Sequence, residues 1–311
     1  MARIFFQRAP SGFRTVQGEL IRKIQTVLKD GGFLDDTADG VYGGRTEAAL
    51  KRFQEQKQLP VTGKVDDQTW QRLMNTAAPD LKQRCLQVTA DFEGTGFTKC
   101  VGNFDGAGLT WGIIGFTLKH GELETILKKI RTNHPDVFSA AFGNLETKIV
   151  EVLDSSLAAQ MNFANSISVG SNKMKILPEW ATPFAALGSN EKIQTIQLER
   201  TDKFFDIAVR DVERFTVVNE LGLALCFDIA VQNGGIDQTE GQRIRNKITQ
   251  TPPATPQDLR KIIANVVAEN SNPTFIEDVR KRKMTFATTQ GTVHGSKYDV
   301  KTWGLNEVPA G

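Results

Sequence analysis

The sequence predicts a mainly α-helical protein in two parts, a small N-terminal unit of short helices and a larger α+β unit. Three observations carry this. Apolar residues recur at helical spacing through most of the 311 residues. One stretch, FTKCVGNFDGAGLTWGIIGF at 97–116, breaks that pattern with glycines, aromatics and β-branched residues, which suits a short hairpin or loop. Residues 217–232, VVNELGLALCFDIAVQ, are apolar nearly all round and read as a buried central helix.

The length suits two domains. The division falls at the small, polar segment NTAAPD, giving 1–75, a linker at 76–80, and 81–311. Apolar residues make up 40% and charged residues 24%, with a net charge of +2. That near-balance carries no signal for nucleic acid as a partner. No stretch approaches the roughly 18 apolar residues of a membrane span. Cys85, Cys100 and Cys226 are odd in number, lack metal-ligand spacing and read as reduced thiols.

In the first unit, Leu20, Ile21, Ile24 and Leu28 share a helix face that ends at Gly31-Gly32. The stretch DTADGVYGGRTEAALKRFQEQ places a glycine-rich turn before a second helix, with Ala49, Leu50 and Phe53 on one face. LPVTGKVDDQTWQRLM repeats the scheme, so DGVYGGRTEAAL and TGKVDDQTWQRL form a weak internal repeat. Thr46 and Thr69 are the expected helix N-caps.

These motifs, over about residues 15–74, resemble the peptidoglycan-binding domain found on many wall hydrolases. The resemblance implies a three-helix module and bacterial peptidoglycan as partner. Asp39, Gly40, Tyr42, Gly43, Arg45 and Thr46 lie in the motif. Most of these residues build the turn. Tyr42 and Arg45, with Asp39 behind them, are the candidates for ligand contact.

In the larger unit, DLKQRCLQVTADF has helical spacing and ends at Glu93-Gly94. Further helices are expected at 120–131, 146–165, 190–215, 217–232, 240–248, 256–270 and 274–284. The final stretch, GTVHGSKYDVKTWGL, has no assignment, and its His294 and Tyr298 read as a structural pair, with a place along the cleft as the alternative.

Glu93 stands at a helix end between Phe92 and Phe97, and Asp105 in an open glycine loop, with Thr110 following. A glycosidase needs two carboxylates, one protonated to donate to the leaving oxygen and one ionised. A desolvated helix end and an open loop are environments of those two kinds. Asp91 competes for the acid role. One helical residue turns by about 100°, so Asp91 and Glu93 diverge and only one of them faces the site.

Glu93 together with DGAGLTWGIIGF at 105–116 resembles the active-site segment of the chitosanases of glycoside hydrolase family 46, within the lysozyme superfamily. The Glu, Asp, Thr order also resembles that of phage lysozymes. The resemblance implies a lysozyme-like catalytic domain, with Glu93 as acid, Asp105 as base, Thr110 orienting water, and inversion at the anomeric carbon. Glu93 and Asp105 are closer in sequence here than in the chitosanases, which leaves the substrate open. ALCFDIAVQNGG at 224–235 and EDVRKRKM at 277–284 resemble two further chitosanase helices. This implies an ionic network behind the acid in which Asp228 pairs with Arg280, with Arg282 as the alternative partner.

Together these readings predict a phage-type endolysin, a monomer that hydrolyses wall glycan as an N-acetylmuramidase, with no cofactor or metal. A chitosanase-like glycosidase, a lytic transglycosylase and a non-catalytic wall-binding protein are the alternatives. A zinc amidase or peptidase does not fit, because His120, His134 and His294 are scattered and no HxH, HEXXH or HxxxD occurs. MARIFFQRAP holds no apolar run of signal-peptide length. The expectation is therefore synthesis in the host cytoplasm and action on the wall, without membrane binding.

Overall fold

Buried glutamines close the turns of the N-terminal segment. In the computed structural model, which describes residues 3–94 and 96–310, the first elements are β1 (Ile4–Phe6), α1 (Glu19–Asp30), α2 (Gly44–Gln56), β2 (Val65–Asp66) and α3 (Asp67–Met74). Strands β1 and β2 pair antiparallel. The expected faces are buried: Ile21, Ile24 and Leu28 on α1, Ala49, Leu50 and Phe53 on α2, Trp70 and Leu73 on α3. The internal repeat is structural. Gln25 Oε1 accepts from Gly40 N at 2.6 Å, and its Nε2 lies 3.0 Å from both Val41 O and Thr46 Oγ1. One repeat later, Gln54 Oε1 accepts from Gly63 N at 2.8 Å, and its Nε2 lies 2.9 Å from Lys64 O and 3.0 Å from Thr69 Oγ1. Both glutamines are buried. Thr46 and Thr69 are therefore not N-caps. Gly43 stands at that position for α2, and for α3 the Asp66 carboxylate accepts from Thr69 N at 2.8 Å.

The rest of the chain is mainly helical. Helix α4 (Leu81–Glu93) leads to β3 (Cys100–Val101), β4 (Thr110–Trp111) and β5 (Phe116–Thr117). These strands form one antiparallel sheet in the order β3-β4-β5. Then come α5 (Glu122–Asn133), α6 (Pro135–Phe142), α7 (Glu146–Leu153), α8 (Leu157–Ile167), the pair β6 (Ser168–Val169) and β7 (Lys175–Ile176), α9 (Pro178–Ser189) and α10 (Glu191–Arg200). The remaining elements are α11 (Asp202–Phe215), α12 (Glu220–Asn233), α13 (Gln238–Gln250), α14 (Pro256–Glu269), α15 (Ile276–Thr288), and a hairpin of β8 (Gln290–Val293) and β9 (Ser296–Asp299). Contacts cluster into two units, Met1–Phe92 with Phe204–Gly311, and Glu93–Lys203.

Where expectation and structure differ, the cause is local. The helix expected over 146–165 is two helices, because the Ser156 side chain caps α8 by accepting from Ala159 N at 3.4 Å. The one expected over 190–215 breaks at buried Thr201, whose hydroxyl donates to Leu198 O at 2.6 Å. Helices α6 and α9 are additional, and each starts on a proline, Pro135 and Pro178, whose fixed φ suits a first turn. The central helix is as expected, with every residue from Glu220 to Ala230 buried. The three cysteines are free thiols.

In the unit Glu93–Lys203, the β3-β4-β5 sheet sits on an aromatic core. Trp111 of β4 packs on Phe184 of α9 at 5.6 Å and donates its Nε1–H to the Phe184 carbonyl at 3.1 Å. Phe184 meets Phe142 of α6 edge-on at 5.9 Å. The glutamine clamps yield a direct expectation. Gln25→Leu keeps the volume but strips the acceptor from Gly40 N, while Val41 O keeps Thr46 Oγ1 at 3.2 Å, and should cost about 2 kcal/mol in chemical denaturation.

Candidate active site

The carboxylate of Glu93 lies at the last residue of α4, half-buried, with Gly94 in the left-handed region directly after it at φ 66°. Thr110 opens β4, and Gly115 closes the β4–β5 turn at φ 69°. These three positions converge. A Cβ placed on Gly115 would meet Thr110 Cγ2 at 3.2 Å and Glu93 Oε2 at 3.7 Å. The positive φ and the close approach both call for glycine there. Thr110 Oγ1 is buried and has no hydrogen-bond partner among the described residues.

Asp105 stands on the loop between β3 and β4, and the base of that loop is pinned by Asn103. Asn103 N donates to Ser168 Oγ at 2.9 Å, Nδ2 donates to Asn165 Oδ1 at 2.9 Å, and Oδ1 accepts from Gly108 N at 2.8 Å. Above that base, Asp105 is exposed. One carboxylate oxygen accepts from Ala107 N at 2.9 Å, which fixes the side chain in an Asx turn.

Sequence reasoning missed two residues that shape this site. Gln197 of α10 is fully buried, accepts from Ile113 N at 3.0 Å and donates to Phe97 O at 3.2 Å. It ties the β4–β5 turn to the segment that follows Glu93. The signal was a glutamine on the same buried helix face as Ile193 and Ile196. Asn103 gave no signal beyond its place in a glycine-rich loop. The rival acid, Asp91, has a structural role. Its side chain is 3% exposed and accepts from Arg14 Nε at 3.0 Å and Nη2 at 3.1 Å, from Tyr298 Oη at 2.7 Å, and from Gln17. Tyr298 is thus a partner of Asp91 rather than of His294, which stands in the β8–β9 turn at φ 48°.

The ionic network in the other unit corrects the expected pairing. Asp228 is fully buried and accepts from Arg282 Nε at 3.0 Å and Nη2 at 2.7 Å, and from Lys283 Nζ at 2.6 Å. Arg280 is not its partner. Arg280 donates instead to Glu277 at 3.1 Å and Asn265 at 2.7 Å. It lies two helix positions from Arg282 and so points about 200° away. Burial pushes the Asp228 carboxyl up, but Arg282 and Lys283 outweigh it and hold the group below the ordinary aspartate value of 3.8.

The module residues part ways as well. Tyr42 is fully buried and donates its hydroxyl proton to Gly63 O at 3.0 Å, so it belongs to the core and not to a ligand-contacting surface. Asp39 Oδ1 accepts from Gln25 Nε2 and from Val41 N, both at 2.8 Å, and builds the turn. Arg45 is 82% exposed and pairs with Asp36. Among the described residues, no group of three or more His, Cys, Asp or Glu side chains has the arrangement of a metal site. No described helix is long and apolar enough to cross a membrane.

Residues 17–73 match the family described as "Putative peptidoglycan binding domain". A comparison with curated proteins finds no match. Among solved structures, the chain is similar to the family 46 chitosanase of Gynuella sunshinyii in complex with chitotetraose. The identity is 13% and the TM-score 0.45, over 69% of this chain and 88% of that one. A second chitosanase complex is similar at 17% identity and TM-score 0.45, over 70% of this chain and 95% of that one.

The corrected pairing separates two arginines by experiment. Arg282→Ala takes a cation from a buried carboxylate and should lower stability by about 3 kcal/mol. Arg280→Ala removes a part-exposed pair and should cost below about 1 kcal/mol. Because the folded Asp228 is held low, its stabilisation is full above the ordinary aspartate value and fades as the pH falls below it. Denaturation midpoints across that acid range should converge for Arg282→Ala and the unsubstituted protein.

Proposed function

We propose that the chain is a cell-wall glycosidase, in which residues 17–73 hold peptidoglycan and Glu93, Asp105 and Thr110 hydrolyse its glycan strand. The observation that carries this reading is the convergence of Glu93, Thr110 and Gly115, with the Thr110 hydroxyl buried and its hydrogen-bonding capacity unused among the described residues. A buried hydroxyl without a protein partner keeps its hydrogen-bonding capacity for a water or substrate oxygen. The module match to a peptidoglycan-binding family supports the wall polymer as substrate. The likeness of the 105–116 segment to family 46 chitosanases supports the chemistry.

In this reading Glu93 gives its proton to the glycosidic oxygen as that bond breaks. Asp105 takes a proton from a water whose oxygen attacks the anomeric carbon, and Thr110 orients that water. The Asx turn leaves the second Asp105 oxygen without a partner among the described residues. The finer parts of the reading are a muramidase bond choice, inversion, and a phage-type lysin that works as a monomer. Holding the catalytic unit at the wall through a second module raises its effective concentration there. Arg45 is the exposed module residue assigned to the wall, and Asp228 with Arg282 is assigned to fixing the end of α4.

Glu93→Gln keeps shape but cannot donate a proton, so turnover on purified peptidoglycan should fall by about 10²- to 10⁴-fold while folding and wall binding persist. Asp105→Asn should be similarly severe and Thr110→Ala milder, with Thr110→Ser recovering part of the loss. Near-normal turnover by Glu93→Gln would sink the assignment. Product analysis separates the related activities. Reducing muramic-acid ends mark a muramidase, anhydro ends a lytic transglycosylase, and sugar release from chitosan alone a chitosanase.

A further inference from the structure

In the unit that holds the end of α11, α12 and α13, a cavity of about 860 Å³ opens between the end of α11, the turn after α12 and the start of α13. Its walls carry three arginines, Arg210, Arg214 and Arg245, and one carboxylate, Asp237. That carboxylate is committed, since it caps α13 by accepting from Glu240 N at 2.7 Å. Beneath the cavity, fully buried Asp211 accepts from Ile236 N at 2.9 Å and lies 3.3 Å from Arg210 and 3.9 Å from Arg214. One Asp211 oxygen thus takes a backbone donor and the other faces Arg210 and Arg214, so two acids stand against three arginines, and Arg245 is exposed with no partner among the described residues.

Arg214 is fixed in advance. Its Nη1 donates to Ile236 O at 2.8 Å and its Nη2 to Asp237 O at 3.2 Å, while the guanidinium stacks on Phe215 at 4.9 Å. A Cβ on Gly241 would fall 1.9 Å from Nη2, so only glycine leaves room for this placement. Cations gathered in one concavity add their fields, and the potential there favours an anion. Guanidinium forks match the paired oxygens of carboxylate and phosphate. One fixed fork and two exposed ones, Arg210 and Arg245, form a clamp.

We propose that this cavity is a second binding site, which takes an anionic group, a carboxylate or a phosphate, of the polymer on which the protein acts. Its identification with the bacterial wall rests on the function proposed above. There, stem-peptide carboxylates and wall phosphate polymers are the two sources of that chemistry.

The test uses the full chain and leaves Arg214 in place, because it holds the backbone. Inorganic pyrophosphate, titrated by calorimetry, should bind the unsubstituted protein at least tenfold more tightly than the Arg210→Gln/Arg245→Gln double variant. Lys281→Gln/Lys297→Gln removes the same charge from exposed positions of the same unit and should leave binding unchanged. Equal binding by all three proteins would overturn the site. Co-sedimentation with purified sacculi, in a Glu93→Gln background, then identifies the source. Weaker sedimentation of the arginine variant on intact and on phosphate-stripped sacculi assigns the carboxylates, and loss on intact sacculi alone assigns the phosphates. Pyrophosphate binding that falls while sedimentation holds on both would keep the anion site and overturn the wall as its source. The pyrophosphate result stands whether or not Glu93 proves to be the acid.

Discussion

A carboxylate without solvent access stands in the middle of α12, and both cations that hold it come from α15. Burying such a charge is costly unless it is paired and fully hydrogen-bonded. The pairing here also organises what surrounds it. Lys283 reaches on to Gln232 at 2.7 Å, and Arg282 lies over the ring of Phe92 at 5.3 Å. Phe92 packs against Tyr298 at 4.8 Å, and Tyr298 donates to Asp91, which Arg14 holds. One line of contacts therefore runs from the central helix through α15 and α4 to the C-terminal hairpin and the N-terminal segment. Asp91 and Phe92, near the end of α4, are both held by it.

The same network shows why part of the structure was legible in the sequence and part was not. Helical spacing identified most helices because burial of one face is written into neighbouring residues. It also held the answer to the Asp228 pairing. Val279, Arg282, Lys283 and Phe286 are spaced at three, four and seven positions, which is one face of α15, and all four are buried. Arg280 falls off that face. Resemblance to a motif drew attention to Arg280, while periodicity favoured its neighbours. The two acids of α4 followed the geometric rule that sets residues two apart on different sides. Asp91 went into the structural network, and Glu93 went to the side shared with Thr110 and Gly115.

Other features had no local signal. Thr46 and Thr69 resemble N-caps by position, but their hydroxyls answer to Gln25 and Gln54, which stand 21 and 15 residues earlier. Tyr42 was a candidate for ligand contact through its place in the motif, yet its ring fills the module core. Gln197 joins segments 84 and 100 residues away, a relation that no window along the chain contains. The sequence marked where polar residues depart from an apolar pattern, and only the three-dimensional arrangement shows which backbone groups they serve.

The paired glutamine clamps also bear on how the N-terminal module forms. Gln25 and Gly40 are 15 residues apart, and Gln54 and Gly63 are 9 apart. Loops of that length close on a timescale of about 10 to 100 nanoseconds, and their closure costs less chain entropy than that of longer loops. Each helix therefore carries the side chain that closes the turn after it, so the turns form in order along the chain with short-range contacts. Low contact order of this kind goes with rapid folding. As the chain emerges during synthesis, this segment can reach its native turns before the central helix α12, and the charged partners it must bury on α15, have been made.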